Sequence, residues 1–218
     1  MMQHRTMEGV LVAIPKRESF EERMQRITDS LLQEGALVTL NCRINGGRAP
    51  WFALRVWTGR EKAVENALDG MGIRALVPMR KGPDLRRRGR LIEGPMMPVI
   101  HGYVLVQMLP KAEYLAGLQG VEHAIDVLGG CEKPVRLSHA EVSRFNVLAE
   151  SGNYDAERVV DLVLHAGERV LVTDGPFSGL SANVVTPSRK GRGDVVVSIR
   201  IMGGDVPVTV PLAMLRKL

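Results

Sequence analysis

Hydrophobic and polar positions along this chain alternate between helical and strand periods, and the changes of period divide it into regions. Gly9 to Ile14 is a short apolar run that reads as a strand. Ser19-Phe-Glu-Glu22 has capping-box spacing, in which the serine hydroxyl accepts from the backbone near Glu22 while the carboxylate reaches back. Phe20, Met24, Ile27 and Leu31 follow at helical spacing, and Gly35 is placed to end that helix in a left-handed conformation. A second strand is expected from Ala36 to Arg43. Residues 1–50 therefore read as an N-terminal extension, either a small β-α-β accessory or a dedicated docking element.

Trp51-Phe-Ala-Leu-Arg-Val-Trp57 is a strand by its β-branched and aromatic content. Thr58-Gly-Arg-Glu61 repeats the capping-box spacing, and Ala63, Val64, Ala67, Leu68 and Met71 share one face of the helix it opens, which Gly72 stops. Ile73 to Pro78 and Val99 to Met108 read as the next two strands. Pro110 is suited to open a short helix carrying Tyr114, Leu115 and Leu118, because a first-turn proline loses no intrahelical bond. Val121 to Leu128 is a strand, and Ser138-His-Ala-Glu141 is a third capping box that leads a helix with Val142, Phe145 and Leu148 inward. The order β-α-β-β-α-β over residues 51–150, followed by a helix, predicts a ferredoxin-like or RNA-recognition-type antiparallel sandwich. Residues 151–165 read as a charged, flexible linker. Residues 166–218 hold short strand-like segments, Glu168–Thr173, Ala182–Thr186, Asp194–Met202 and Val206–Val210, cut by Gly and Pro, which suit a small closed barrel. The fold class is α+β.

Composition narrows the functional classes. The chain has 218 residues, 45% hydrophobic and 24% charged, an ordinary balance for a folded protein. No apolar run approaches the roughly 20 residues that span a bilayer, so a soluble cytoplasmic protein is expected. Cys42 and Cys131 belong to no C-x-x-C or His/Cys pattern and read as reduced thiols. An aromatic content of 4% gives little support to a stacking platform for nucleic acid, whereas a net charge of +5 favours an anionic neighbour. Most of that charge gathers in Arg80-Lys-Gly-Pro-Asp-Leu-Arg-Arg-Arg-Gly-Arg90, where Asp84 is the single acid. Arg189-Lys-Gly-Arg192 is a weaker echo and reads as a hairpin tip. The five histidines, His4, His101, His123, His139 and His165, have no metal-ligand spacing. Ser178 and Ser181 lack a nucleophile-elbow frame, and no phosphate-cradling glycine loop precedes Lys-Ser or Lys-Thr. No catalytic residue, metal or cofactor is expected.

The segment Gly167-Glu-Arg-Val-Leu-Val-Thr-Asp-Gly-Pro-Phe-Ser-Gly179 resembles the KOW motif of the NusG family, with Gly175-Pro176 making a tight turn that presents Phe177. His101-Gly-Tyr-Val-Leu-Val-Gln-Met108 is similar to a stretch of the N-terminal domain of that family, and Trp51-Phe52 with Thr58-Gly-Arg-Glu61 resembles its opening. His101 stands where the family usually has proline, and Val99-Ile100 where it has two aromatics. The resemblance implies a transcription elongation or antitermination factor with an SH3-like KOW barrel. Its N-terminal domain would dock on the clamp helices of the largest RNA polymerase subunit through Trp51, Phe52, Ile100, His101 and Tyr103. Its barrel would bind a small ribosomal subunit protein or Rho through Phe177, Ile199, Ile201 and Met202. Arg86, Arg87, Arg88 and Arg90 would lie on the family's long hairpin, facing phosphates of upstream or non-template DNA. Two alternatives stand beside this: an operon-specific RfaH-like paralogue recruited by a DNA signal, and a ribosomal or RNA-binding KOW protein. The β-branched runs Val195–Ile201 and Val206–Pro211, with Pro207 and Pro211, disfavour a helical storage form of the tail. A constitutive, flexibly tethered barrel is expected.

Overall fold

The computed structural model of the chain describes all residues except 1–2, 8–9, 15–17, 188–190 and 202–203, and the backbone alone for 3–7 and 10–14. Met202 and, of the Arg189–Arg192 basic echo, Arg189 and Lys190 thus lie outside the described residues. Strands β1 (Gln3–Met7) and β2 (Val10–Ile14) pair as an antiparallel hairpin, and α1 (Phe20–Ile44) follows. The Ser19–Glu22 capping box forms as its spacing requires.

The expected strand from Ala36 to Arg43 is instead the second half of α1, so the extension is β-β-α rather than β-α-β. Gly35 does not end the helix, because its missing Cβ serves a helix-helix contact. A Cβ there would lie 3.0 Å from Tyr114 Cγ, on a helix packed across it. The left-handed stop is Gly46, φ 78°, just past the Asn45 cap. The buried face of α1 is Leu32, Gly35, Ala36 and Thr39, and Phe20, Met24 and Ile27 are exposed. Cross-bonds add to this seat: Tyr114 Oη donates to Glu34 at 2.7 Å, and the Leu109 amide to Thr39 Oγ1 at 3.0 Å.

The central sheet contains β3 (Trp51–Val56), β4 (Ala75–Leu76), β9 (Tyr103–Gln107) and β10 (Ala124–Val127), in the spatial order β10-β3-β9-β4, all antiparallel. Counted among themselves these are the fourth, first, third and second strands. Between β4 and β9 the chain leaves the sheet as a ribbon: β5 (Met79–Lys81) pairs β8 (Met96–Pro98), and β6 (Leu85–Arg87) pairs β7 (Arg90–Ile92). The run from Val99 to Met108 pairs only from Tyr103, because Gly102 at φ 79° turns the chain into the sheet. Helices α2 (Glu61–Gly70) and α3 (Ala112–Leu118) cover one face. Their side chains Val64, Leu68, Leu115 and Leu118 meet Phe52, Leu54, Val104 and Val106 in one core. The Thr58–Glu61 capping box does not form. The cap position is Arg60, and the buried Glu61 carboxylate accepts the Gly102 amide at 2.7 Å instead. Lys111 caps α3, so Pro110 precedes the helix rather than opening it.

Helix α4 (His139–Glu150), with its Ser138 capping box intact, lies on the opposite face with Val142, Phe145 and Ala149 inward. The tail forms a five-stranded antiparallel sheet in the order β14-β13-β12-β11-β15, from β11 (Arg169–Val172), β12 (Ser181–Val184), β13 (Asp194–Ile201), β14 (Gly204–Pro211) and β15 (Leu215–Lys217). Alternate residues, among them Val170, Val172, Val195, Val197 and Ile199, point into its own core. Among the described residues no helix is long and apolar enough to cross a membrane.

The seat of α1 is specific enough to test. Leu32→Ala should remove about 2–5 kcal/mol of local stability, since Leu32 is wholly buried against Gly117 of α3. Hydrogen exchange of α1 amides should quicken while β3 and β9 keep their protection. Unchanged α1 exchange would show that the helix does not depend on that contact.

Candidate functional site

The arginine stretch forms an ordered ribbon whose tip is a two-residue turn. Arg88 (φ 49°) and Gly89 (φ 78°) both take the left-handed conformation that matches the twist of a tight hairpin. Register puts Arg87 opposite Arg90 and Arg86 opposite Leu91. All four candidate arginines, 86, 87, 88 and 90, are exposed. The nearby acids are engaged lower down, where Lys81 meets Asp84 at 3.8 Å and Glu93 at 3.5 Å, and Asp84 accepts the Gly94 amide at 2.9 Å. Among the described residues, none of the tip arginines has an ion-pair partner. Leu85, Leu91 and Ile92 are also exposed there, so the ribbon offers apolar as well as cationic contact.

The other candidate surface is the sheet face that carries α4, and the tail covers it. Tyr103 meets Phe177 edge-on, with ring centroids 5.1 Å apart and planes at 89°. Ile100, Tyr103, Leu105 and Phe145 are buried together with Phe177 and Met214 in one continuous core. Phe177 lies in a 3-10 turn, Gly175–Phe177, that enters this contact. Gly175 has φ 75°, and a Cβ on it would come within 3.1 Å of Ile100 Cδ1 and Met214 Cε and 3.3 Å of Phe145 Cζ. Only glycine fits. Burial pushes the Tyr103 phenol up, with Arg55 partly opposing it.

Two arginine-aspartate pairs flank the apolar contact. Arg144 on α4 donates to Asp174 at 2.7 Å and to the Thr173 carbonyl at 3.1 Å. Arg80 on β5, 1% exposed, donates to Asp194 of β13 at 2.6 Å and to the Tyr154 carbonyl at 3.0 Å. The connector is bonded to both sides rather than free. The Lys81 amide donates to Asp155 and the Ala156 amide to the Lys81 carbonyl, while the Val160 amide donates to the Gly191 carbonyl. The tail is thus built of strands and two short 3-10 turns, with no α-helix among its described residues, as its propensities require, but it is docked rather than flexibly tethered.

The candidate residues fall into separate environments. Ile100, Tyr103 and Phe177 come together, although the family resemblance gives the first two to one partner and the third to another. Trp51 is buried on the same face, where its Nε1 donates to His139 Nδ1 at 3.3 Å and the Arg74 guanidinium lies 5.5 Å from its ring. Phe52 faces the opposite way, wholly enclosed by the α2–α3 core, and has no surface for a partner. His101 is half-buried beside Gly102. Ile199 is fully buried in the core of the tail sheet and Ile201 is half-buried. Sequence reading misses Arg80, Arg144 and Gly175 as contact residues. Arg80 belongs by composition to the solvated charge run, and only its distant partners at Asp194 and the Tyr154 carbonyl set it apart.

Residues 49–146 match the family described as transcription termination factor nusG. Curated relatives named transcription termination/antitermination protein NusG align over 77% of this chain. The one from Pasteurella multocida is 29% identical with 94% of its own length covered, and the one from a Synechocystis strain is 27% identical with 88% covered. A solved structure titled "Domain interaction in Thermotoga maritima NusG" is 21% identical and covers 78% of this chain and 98% of its own, with a TM-score of 0.39. Helix α1 and the β1–β2 hairpin precede the residues that match the family.

The Arg80–Asp194 bond should hold the connector closed. Arg80→Met removes charge-assisted hydrogen bonds worth about 1.5–3 kcal/mol each, and Asp194, part-exposed, can rehydrate. Limited trypsinolysis at Arg158 should accelerate and release the tail intact. The same cleavage rate as the parent would show that the apolar contact alone sets closure.

Proposed function

We propose that this chain is a NusG-type transcription elongation and antitermination factor whose polymerase-binding face is gated by its own tail, a reading supported by the match over residues 49–146 and by relatives aligned over 77% of the chain. We read residues 51–150 as the ferredoxin-like domain that docks on the clamp helices of the largest polymerase subunit. Residues 166–218 are the SH3-like KOW barrel, which recruits a small ribosomal subunit protein or Rho. Residues 151–165 link them, and residues 1–50 are the extension.

The observation that carries this reading is the edge contact between Tyr103 and Phe177. It joins the two segments that resemble family motifs, and it occupies the face to which the polymerase is assigned. Polymerase and barrel then compete for Ile100 and Tyr103, and the bound state requires the barrel to leave. Departure also frees Phe177 for the barrel's own partner. The ribbon arginines lie outside the contact and meet phosphates of the upstream or non-template DNA in either state. A gated face also favours the operon-specific reading, in which a DNA signal accompanies opening. The β form of the tail separates that case from storage as a helical hairpin.

Competition has a measurable sign. Phe177→Ala removes an aromatic edge pair worth about 0.5–1.5 kcal/mol beyond its area. Apparent affinity for polymerase should therefore rise, by roughly twofold to tenfold, with the β signal of the tail retained. Tyr103→Ala introduced into that background should lower it again by on the order of 30-fold, the loss of a buried aromatic anchor. A Phe177→Ala chain that binds polymerase no better than the parent would remove the gate.

Replacing Arg87, Arg88 and Arg90 with Ser should flatten the dependence of DNA affinity on salt by roughly one unit for each phosphate no longer neutralised. The clamp contact should be unaffected. An identical salt slope would make the ribbon a solvated loop.

A further inference from the structure

The sequence has two tryptophans, and they occupy opposite environments: Trp51 is 2% exposed and Trp57 is 60% exposed. A large aromatic left in water at the end of a strand calls for an explanation, and its neighbours provide one. The His123 ring lies against one side of the indole, with centroids 5.6 Å apart and planes tilted by 38°. His123 reaches that position through a left-handed backbone, φ 69°, uncommon for a residue with a side chain. The Trp57 amide donates to the His123 carbonyl at 3.0 Å, so the two residues are held in register beyond the last pair of β3 and β10. The imidazole braces one side of the indole, and most of the rest is open to solvent.

Charges of both signs lie near this aromatic, and Glu122 stands 3.4 Å from the His123 ring. Arg60, exposed, is held near Trp57 by its amide, which donates to the Trp57 carbonyl at 2.9 Å. Arg55 lies two residues back on the same side of β3, part-exposed and paired with Asp126 at 2.9 Å. Strand register then relates this site to the arginine ribbon. Arg55 pairs with Tyr103 at the start of β9, and β4 runs past Leu105 toward that same end before becoming β5. Trp57 and the ribbon therefore leave the sheet at one end.

We propose that Trp57, braced by His123, is a stacking platform for one unpaired base of a single nucleic-acid strand whose phosphates run along Arg60 and the arginine ribbon. This rests on the DNA contact assigned to the ribbon and extends it: arginines hold the backbone, and the indole selects a strand whose bases are unstacked. Within a duplex, each interior base has both faces covered by its stacked neighbours. The chemistry is independent of the sugar, so single-stranded DNA and RNA are both ligands of the platform. The tail does not cover Trp57, so the whole chain binds without being opened.

The test uses the full-length protein and a 15-nucleotide oligodeoxythymidylate. Titration should quench the exposed tryptophan, and Trp51, buried, should contribute a constant background. Trp57→Ala should lower affinity by roughly 5- to 100-fold at every salt concentration while leaving the salt slope unchanged, as expected for loss of one base stack. Trp57→Phe should recover part of it. An oligouridylate of the same length should show the same dependence on Trp57, and a relaxed, covalently closed circular duplex, which has no terminal base pair, should show none. Trp57→Ala binding the oligonucleotide as the parent does, while the triple-serine ribbon variant loses salt dependence, overturns the platform and leaves the ribbon contact standing. If both variants bind as the parent does, the nucleic-acid reading of the ribbon fails with it. Reduced polymerase affinity in Trp57→Ala with unchanged oligonucleotide binding also overturns the platform and gives the indole to a protein interface.

Discussion

The structure depends on how one apolar sheet face is covered. A sheet with helices on one side leaves its other side wet unless something packs there, and α4 covers only part of it. Ile100, Tyr103 and Leu105 would otherwise be exposed together, a contiguous apolar patch of the kind that marks an interaction site. The turn Gly175–Phe177 completes the cover, and the tail's position, the connector's path and the inward turn of Arg80 all follow from it. Apolar burial is non-directional and would tolerate several placements of the tail. The two arginine-aspartate pairs are directional. An ion pair at such a boundary adds little compared with well-packed apolar groups, but breaking its geometry is costly, so it selects one placement among many.

Much of the architecture was legible because it rests on local rules. Two of three capping boxes form where their spacing puts them, and the strands of the central sheet appear in the expected order. The failures share a cause, which is that a residue type signals a local role while a distant contact claims it. Glu61 has the spacing of a capping glutamate, but the Gly102 amide takes its carboxylate. Gly35 has the composition of a helix stop, but Tyr114 needs the space its side chain would fill. Phe20, Met24 and Ile27 have helical period, yet burial falls on Leu32, Gly35, Ala36 and Thr39, because α1 and α3 approach where Gly35 receives Tyr114 and Gly117 receives Leu32.

The candidate site divides the same way. The arginine ribbon was legible from charge and glycine alone, since an exposed hairpin needs little beyond its own turn chemistry. That the ribbon's first arginine is buried was not, since Arg80 and Arg86 each sit in the middle of a short strand and only the distant partners at Asp194 and the Tyr154 carbonyl set Arg80 apart. Phe177 was legible as a presented residue, but what receives it depends on a face more than 70 positions earlier in the chain. The low aromatic content argued against stacking on average. An average, however, says nothing about one tryptophan braced at a strand end.

The closed arrangement also bears on how readily it opens. The contact is a small apolar centre, one aromatic edge pair and a few bonds to the connector, rather than an extended interface. Each component is worth on the order of 1 kcal/mol once its exchange with water is counted. A partner that offers Ile100 and Tyr103 an apolar surface of its own replaces the same burial, and only the directional bonds of Arg80 and Arg144 are given up to solvent. Differential affinity is all that a partner needs to shift such a balance. The exchange is symmetric: whatever holds the tail strands away from Phe145 and Tyr103 favours docking on the exposed face, and whatever docks there frees the tail. Mutual exclusion over one aromatic contact couples the two surfaces without any change of secondary structure in either.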